Sequence, residues 1–186
     1  MNNATRDIEL SQVQKLIDKD AIRQCLFRYA RAIDRVDKDL LRQVYWPEAV
    51  DNHGTYNGPV GGFIEHVIPA LLEMDQTIHF FGNILIELHG DRAASEAYFF
   101  ACHRYGMKRG QPKEFTLGGR YLDRFEKRAG EWRILRRDLA YDWVTENNSP
   151  ADWMNNPLGI PITSHRLPDD TSKLLFAKEP ADFIQA

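Results

Sequence analysis

The chain has 186 residues, 43% of them apolar and 27% charged, and its 24 Lys and Arg against 27 Asp and Glu leave a net charge of −3. The length fits one domain with a tail. The apolar share excludes a disordered chain, the charge excludes an electrostatic nucleic-acid binder, and no apolar run reaches the roughly 18–20 residues of a membrane span. The 10 Phe, 4 Trp and 7 Tyr suffice for a core and for an aromatic-lined pocket. The first ten residues, with Arg6, Asp7 and Glu9, lack the apolar stretch of a secretory signal. Cys25 and Cys102 show no CxxC spacing, so the expectation is a cytoplasmic chain without disulfides.

Residues 7–35 read as a helix, because Ile22, Leu26, Tyr29 and Ile33 recur at helical spacing and form one apolar stripe. Residues 37–45 predict a short second helix, capped by Asp37, with Leu40, Leu41 and Val44 inward and Pro47 as its stop. A short strand is expected over 49–57, ended by Asn57-Gly58-Pro59. Pro59 can open a third helix, whose apolar face is Phe63, Ile64, Val67, Ile68, Leu71 and Leu72, with a break or kink at Pro69. Alternation then replaces helical spacing: strands are predicted over 83–89, 93–107, 115–128 and 131–144, with turns at 89–92 and 129–130 and a basic loop at 108–114.

From residue 146 the pattern ends, and Pro150, Pro157, Pro161, Pro168 and Pro180 punctuate a stretch that still carries Trp153, Met154, Ile160 and Phe176. That composition predicts an arm over 146–186, packed on a neighbouring subunit, after a domain over 1–145. The element order is α+β: three N-terminal helices on a strongly curved, mainly antiparallel sheet. Such a sheet capped by helices makes a cone with one mouth, the place for a ligand.

Three stretches carry a family resemblance over about residues 10–145: Tyr29-Ala30-Arg31-Ala32-Ile33-Asp34, Thr77-Ile78-His79-Phe80-Phe81-Gly82-Asn83, and the hairpin from Tyr121 to Ile134. With them the chain resembles the SnoaL-like members of the nuclear-transport-factor-2-like superfamily. The first two stretches are similar to the acid–base positions of scytalone dehydratase, hexachlorocyclohexane dehydrochlorinase and bile acid 7α-dehydratase. The resemblance implies a lyase without cofactor or metal, usually a homotrimer, acting on a hydrophobic aromatic or polycyclic small molecule. It places Asp34 and His79 as the proton-abstracting pair, and Tyr29 and His103 as further catalytic candidates. Trp46, Asn52, Phe80, Phe99 and Tyr121 are the expected substrate-lining residues. The leaving group would be water, a halide or a carbon fragment such as formaldehyde.

The residue types suit that chemistry. Histidine titrates near pH 6.5 and can act as a base at ambient pH. A carboxylate on its other ring nitrogen fixes the tautomer and stabilises the imidazolium. His103 shares a strand face with Phe99 and Ala101, which turns it inward. Two other readings of the same fold stand beside the lyase: an isomerase or cyclase, and a non-catalytic small subunit of a ring-hydroxylating dioxygenase. His89 and Asp91 with His103 match the composition of an iron site, but His89 and Asp91 fall in a predicted turn. Cys102 and His103 point to opposite strand faces, which argues against a nucleophile pair.

Overall fold

In the computed structural model, which describes residues 3–106, 113–147 and 165–170, the stripe of the first helix sets the layout. Helix α1 (Asn3–Arg35) buries Ile22, Leu26, Tyr29 and Ile33 against the sheet. Its end is a Schellman motif: the Val36 N–H donates to the Ile33 carbonyl at 3.2 Å and the Asp37 N–H to the Ala32 carbonyl at 2.8 Å. Val36 holds the left-handed position with φ of 55°, a strained place for a β-branched side chain. Asp37 then caps α2 (Lys38–Gln43), accepting from the Leu40 N–H at 2.9 Å.

The sheet runs in the order β2-β1-β6-β5-β4-β3 and is open. Its strands are β1 (Tyr45–Asn52), β2 (Asn57–Pro59), β3 (Met74–His89), β4 (Arg92–Tyr105), β5 (Lys113–Arg128) and β6 (Glu131–Asn147). The β1–β6 pairing is parallel and the others are antiparallel. This is the α+β arrangement expected from the element order, with α3 (Val60–Glu73) crossing between β2 and β3.

Several boundaries differ from the sequence reading. Tyr45 opens a strand instead of ending a helix. Pro47 is tolerated in that strand because the β1–β6 register breaks between Tyr45 and Val50, so its missing N–H removes no ladder bond. Helix α3 runs through Pro69 to Glu73. The carbonyl that Pro69 deprives of a partner belongs to Glu65, and both residues are exposed, so water can satisfy it. Leu72, expected inward, is exposed on that helix. Strand β3 begins at Met74, nine residues before the expected start at 83.

Local irregularities decide which side chains face the core. Between Phe81 and Ile84 strand β3 carries one residue more than β4, a bulge at Gly82-Asn83. Before it Thr77, His79 and Phe81 turn inward; after it Ile84, Ile86 and Leu88 do. Strand β6 bulges the same way at Leu135 and again at Asp142. Opposite the second bulge a Cβ on Gly119 would lie 2.2 Å from the Ala140 carbonyl oxygen, so only glycine fits that approach.

At the floor of the cone the fully buried Arg137 donates from Nε and Nη2 to both oxygens of Asp123, at 2.8 and 2.7 Å. Its guanidinium lies 3.9 Å from the Tyr29 ring centroid and 4.1 Å from that of Tyr121. The expected arm falls mostly outside the described residues. Of its described residues, 146–147 end strand β6, and 165–170 bind this same chain: Arg166 donates to the Leu71 and Met74 carbonyls at 2.6 and 2.8 Å, and Asp170 pairs with Arg31 at 3.1 Å. Removing one member of a buried ion pair strands the other. Asp123→Ala is therefore expected to lower the unfolding free energy by roughly 3–5 kcal/mol, read from urea denaturation.

Candidate active site

Asp34 sits in the last turn of α1 and His79 near the start of β3. A carboxylate at a helix C-terminus opposes the helix dipole, and here two donors of one residue hold it. The His79 backbone N–H donates to Oδ2 at 2.9 Å and the ring Nδ1 to Oδ1 at 2.7 Å. The carboxylate can only accept, so Nδ1 carries the hydrogen and Nε2 is left as the basic nitrogen. Both side chains are largely shielded, 12% and 7% exposed for Asp34 and His79.

His79 lines a cavity of about 390 Å³ between α1, α3 and the inner face of the sheet. That volume lies in the range of small-molecule sites, roughly 300–1,000 Å³. The lining is mostly apolar or aromatic, including Ile33, Phe63, Val67, Leu71, Phe99 and Phe115. Four of the six histidines of the chain, His53, His66, His79 and His103, join it. His103 meets His79 edge to face with ring centroids 5.1 Å apart and stacks on Phe115 at 4.4 Å. Burial, helped by the neighbouring His79, pushes the His103 pKa down to about 3. Its ring is thus neutral at ambient pH, and among the described residues its buried Nδ1 has no hydrogen-bond partner.

Tyr29, Tyr45 and Tyr121 form the aromatic floor around Arg137, and Tyr29 and Tyr121 reach the cavity. Burial raises the pKa of all three phenols, so each stays a protonated hydrogen-bonding group.

Of the residues singled out in the sequence, Asp34 and His79 are bonded to each other, and Tyr29, His103, Phe99 and Tyr121 line the same cavity as His79. Three are placed elsewhere. Phe80 is 66% exposed on the outer face, because the Gly82-Asn83 bulge reverses the alternation and turns Phe81 inward, stacked on Tyr121 at 5.1 Å. Trp46 lies at the sheet rim, donating to the Glu126 carbonyl at 2.9 Å under the guanidinium groups of Arg128 and Arg133. Asn52 points away from the cavity and donates to Asp138 at 3.3 Å. His89 and Asp91 are exposed at the turn between β3 and β4, at the opposite end of β4 from His103.

Sequence reasoning missed Arg137, whose inward direction depends on the Leu135 bulge, and the pair Asp51 and His53. In that pair His53 Nδ1 lies 3.0 Å from Asp51 Oδ1, and His53 lines the cavity. The signal was present: two residues apart on a strand, the two side chains share a face. Among the described residues no group of three or more His, Cys, Asp and Glu side chains is arranged to hold a metal ion, and no helix is long and apolar enough to cross a membrane.

Comparison with known proteins agrees with this geometry at the level of the fold. A scytalone dehydratase-like protein of Novosphingobium aromaticivorans superposes with a TM-score of 0.66 at 21% identity, covering 81% of this chain and 99% of that one. The hexachlorocyclohexane dehydrochlorinase LinA-type3 of Novosphingobium barchaimii gives 0.64 at 16% identity, over 75% and 96%. The Kfla4162 protein of Kribbella flavida gives 0.65 at 19% identity, over 70% and 95%. At these identities the likeness speaks for the fold alone. No curated protein matches the sequence. The SnoaL-like domain matches residues 14–138, most of the chain, and the protein belongs to that family.

Proposed function

We propose that the protein is a cofactor-independent lyase, which removes a proton and a small leaving group from a hydrophobic aromatic molecule. The observation that carries this reading is the 2.7 Å hydrogen bond from His79 Nδ1 to Asp34 at the wall of an otherwise largely apolar cavity. The bare Nε2 takes a proton from the substrate, the electron pair of that bond forms the new double bond, and the leaving group departs with its own pair. Asp34 stabilises the imidazolium so formed without taking the proton itself. Neutral His103 and the phenol of Tyr29 are hydrogen-bonding groups for charge developing on the substrate. The names of two structural neighbours, a dehydratase-like protein and a dehydrochlorinase, fit loss of water or of halide, and a carbon fragment such as formaldehyde could leave by the same base. Exposed Phe80, Phe100 and Trp143 on the outer face of the sheet fit association with further copies, as in the trimer the resemblance implies.

The reading is tested with a panel of hydroxylated and chlorinated aromatic compounds, scored for a new conjugated double bond, chloride or formaldehyde. His79→Ala and Asp34→Ala are each expected to lower turnover of the compound converted by about 10²–10⁴-fold, with circular dichroism unchanged. Full turnover by His79→Ala would sink the proposal.

The neutral state of His103 has a separate signature in stability. Its folded pKa of about 3 lies below the unfolded value of 6.5, so between those values the unfolded chain binds the extra proton. Stability contributed by keeping this ring neutral is complete above the unfolded pKa and falls as pH drops from about 6.5 towards 3, by up to about 1.4 kcal/mol per pH unit. Urea denaturation across that window is expected to show a shallower acid loss for His103→Gln than for the wild type.

A further inference from the structure

We propose that His53 is a second proton-transfer group of this cavity, set against the leaving group while His79 works at the proton to be removed. The inference rests on the lyase reading above and extends it to a residue and a step that reading leaves unassigned. His53 has the features of a positioned acid. Its Nδ1 faces Asp51 Oδ1 at 3.0 Å, and the other oxygen of Asp51 accepts from the Tyr45 hydroxyl at 2.6 Å. Asp51 and Tyr45 are both fully or nearly fully buried, and a buried carboxylate is tolerated only when its charge is compensated. Tyr45, Asp51 and His53 thus form a chain that ends on the cavity wall.

The ring is also fixed in orientation. It stacks on Phe63 with centroids 4.8 Å apart and planes 26° from parallel. Its backbone is pinned in a turn in which the His53 N–H donates to the Tyr56 carbonyl at 2.7 Å and Gly54 takes a φ of 76°. With Nδ1 committed to Asp51, the nitrogen available to a bound molecule is Nε2.

Position separates the two imidazoles. His79 is held by α1 and β3, whereas His53 stands at the end of β1 beside α3, with the Tyr121 ring 6.2 Å away. A molecule filling the cavity therefore has two carboxylate-supported imidazoles within the same lining, held by different elements, one for the proton to be removed and one for the leaving group. Among the described residues no carboxylate is hydrogen-bonded to His103, the alternative acid, whereas His53 has Asp51 at 3.0 Å. In each turnover the substrate proton goes to His79 Nε2, the leaving group takes its bonding pair together with a proton from His53 Nε2, and exchange with solvent resets both rings. The products sum to the substrate.

Ring opening of benzisoxazole and of its nitro-substituted derivative tests this without knowledge of the natural substrate. A base removes the carbon-bound proton, the nitrogen–oxygen bond breaks, the nitrile forms, and the oxygen leaves as a phenolate whose absorbance is read. The nitro compound has the better leaving group and needs little acid assistance. His53→Gln is expected to slow the unsubstituted probe by about 10²-fold and the nitro probe by less than about tenfold, with circular dichroism unchanged. Tyr45→Phe, which releases one oxygen of Asp51, is expected to shift the ratio of the two rates in the same direction by a smaller amount. Equal slowing of both probes by His53→Gln, or no slowing, overturns the role of His53 while leaving His79 as base, provided His79→Gln abolishes both rates. Wild-type rates on both probes in His79→Gln, or no acceleration of either probe by the wild type, overturn the lyase reading and this inference with it.

Discussion

One buried cation organises the cavity. Moving an unpaired charge of this size into a medium of low dielectric costs on the order of 20 kcal/mol in the idealised limit, so Arg137 can lie in the core only with its compensation in place. Asp123 supplies the charge through two parallel hydrogen bonds, and Tyr29 and Tyr121 supply the faces of their rings. These partners come from α1 and β5, while Arg137 itself is on β6 and Tyr45 on β1 sits within 5.9 Å. The requirement to surround one guanidinium therefore draws four elements to a common point, and that point is the floor of the cone.

The same requirement shapes the electrostatics above the floor. Because Asp123 neutralises Arg137, the pair presents a local dipole and little net charge to the cavity. The carboxylates of Asp34 and Asp51 each stand beside an imidazole, where they favour a transient imidazolium over a bound anion. Phenols kept protonated by burial add donors without adding charge. These features fit the proposed reading, an uncharged aromatic molecule and a reaction whose charges appear and vanish within one step. It follows that the near-neutral net charge of the whole chain matters less than the local pairing.

The elements were readable in the sequence because their apolar spacing is regular: the stripe Ile22, Leu26, Tyr29, Ile33 and the alternation through β4 suffice for a helix on a sheet. Asp34 and His79 were readable through a family pattern, because each lies within a stretch of matching neighbours. What could not be read was the direction of particular side chains past a bulge. Alternation counted back from Ile84 and Ile86 puts Phe80 inward, and one extra residue at Gly82-Asn83 reverses it. Alternation counted forward from Trp132 and Ile134 puts Arg137 outward, and Leu135 reverses that too. A bulge is a property of two strands in register, and a single sequence shows only one at a time. Asp51 and His53 involve no such ambiguity: two residues apart in an extended segment, they share a face, and Asn52 between them points the other way.

The catalytic role proposed for Asp34 asks the end of its helix to be unusually well fixed, since misplacement of about 0.5 Å already degrades a site. The chain meets the demand from three directions. The Schellman bonds stop α1 one residue after Asp34, at the cost of a strained Val36. The backbone and ring of His79 hold both carboxylate oxygens from the sheet side. Segment 165–170 closes the remaining side: the Leu167 N–H donates to the Arg35 carbonyl at 3.3 Å, Asp170 pairs with Arg31, and Arg166 ties the end of α3 to Thr77 at 3.2 Å, two residues from His79. Each device is modest alone. Together they convert a fraying helix terminus, the least ordered part of an isolated helix, into the rigid support that a proton-transfer pair requires.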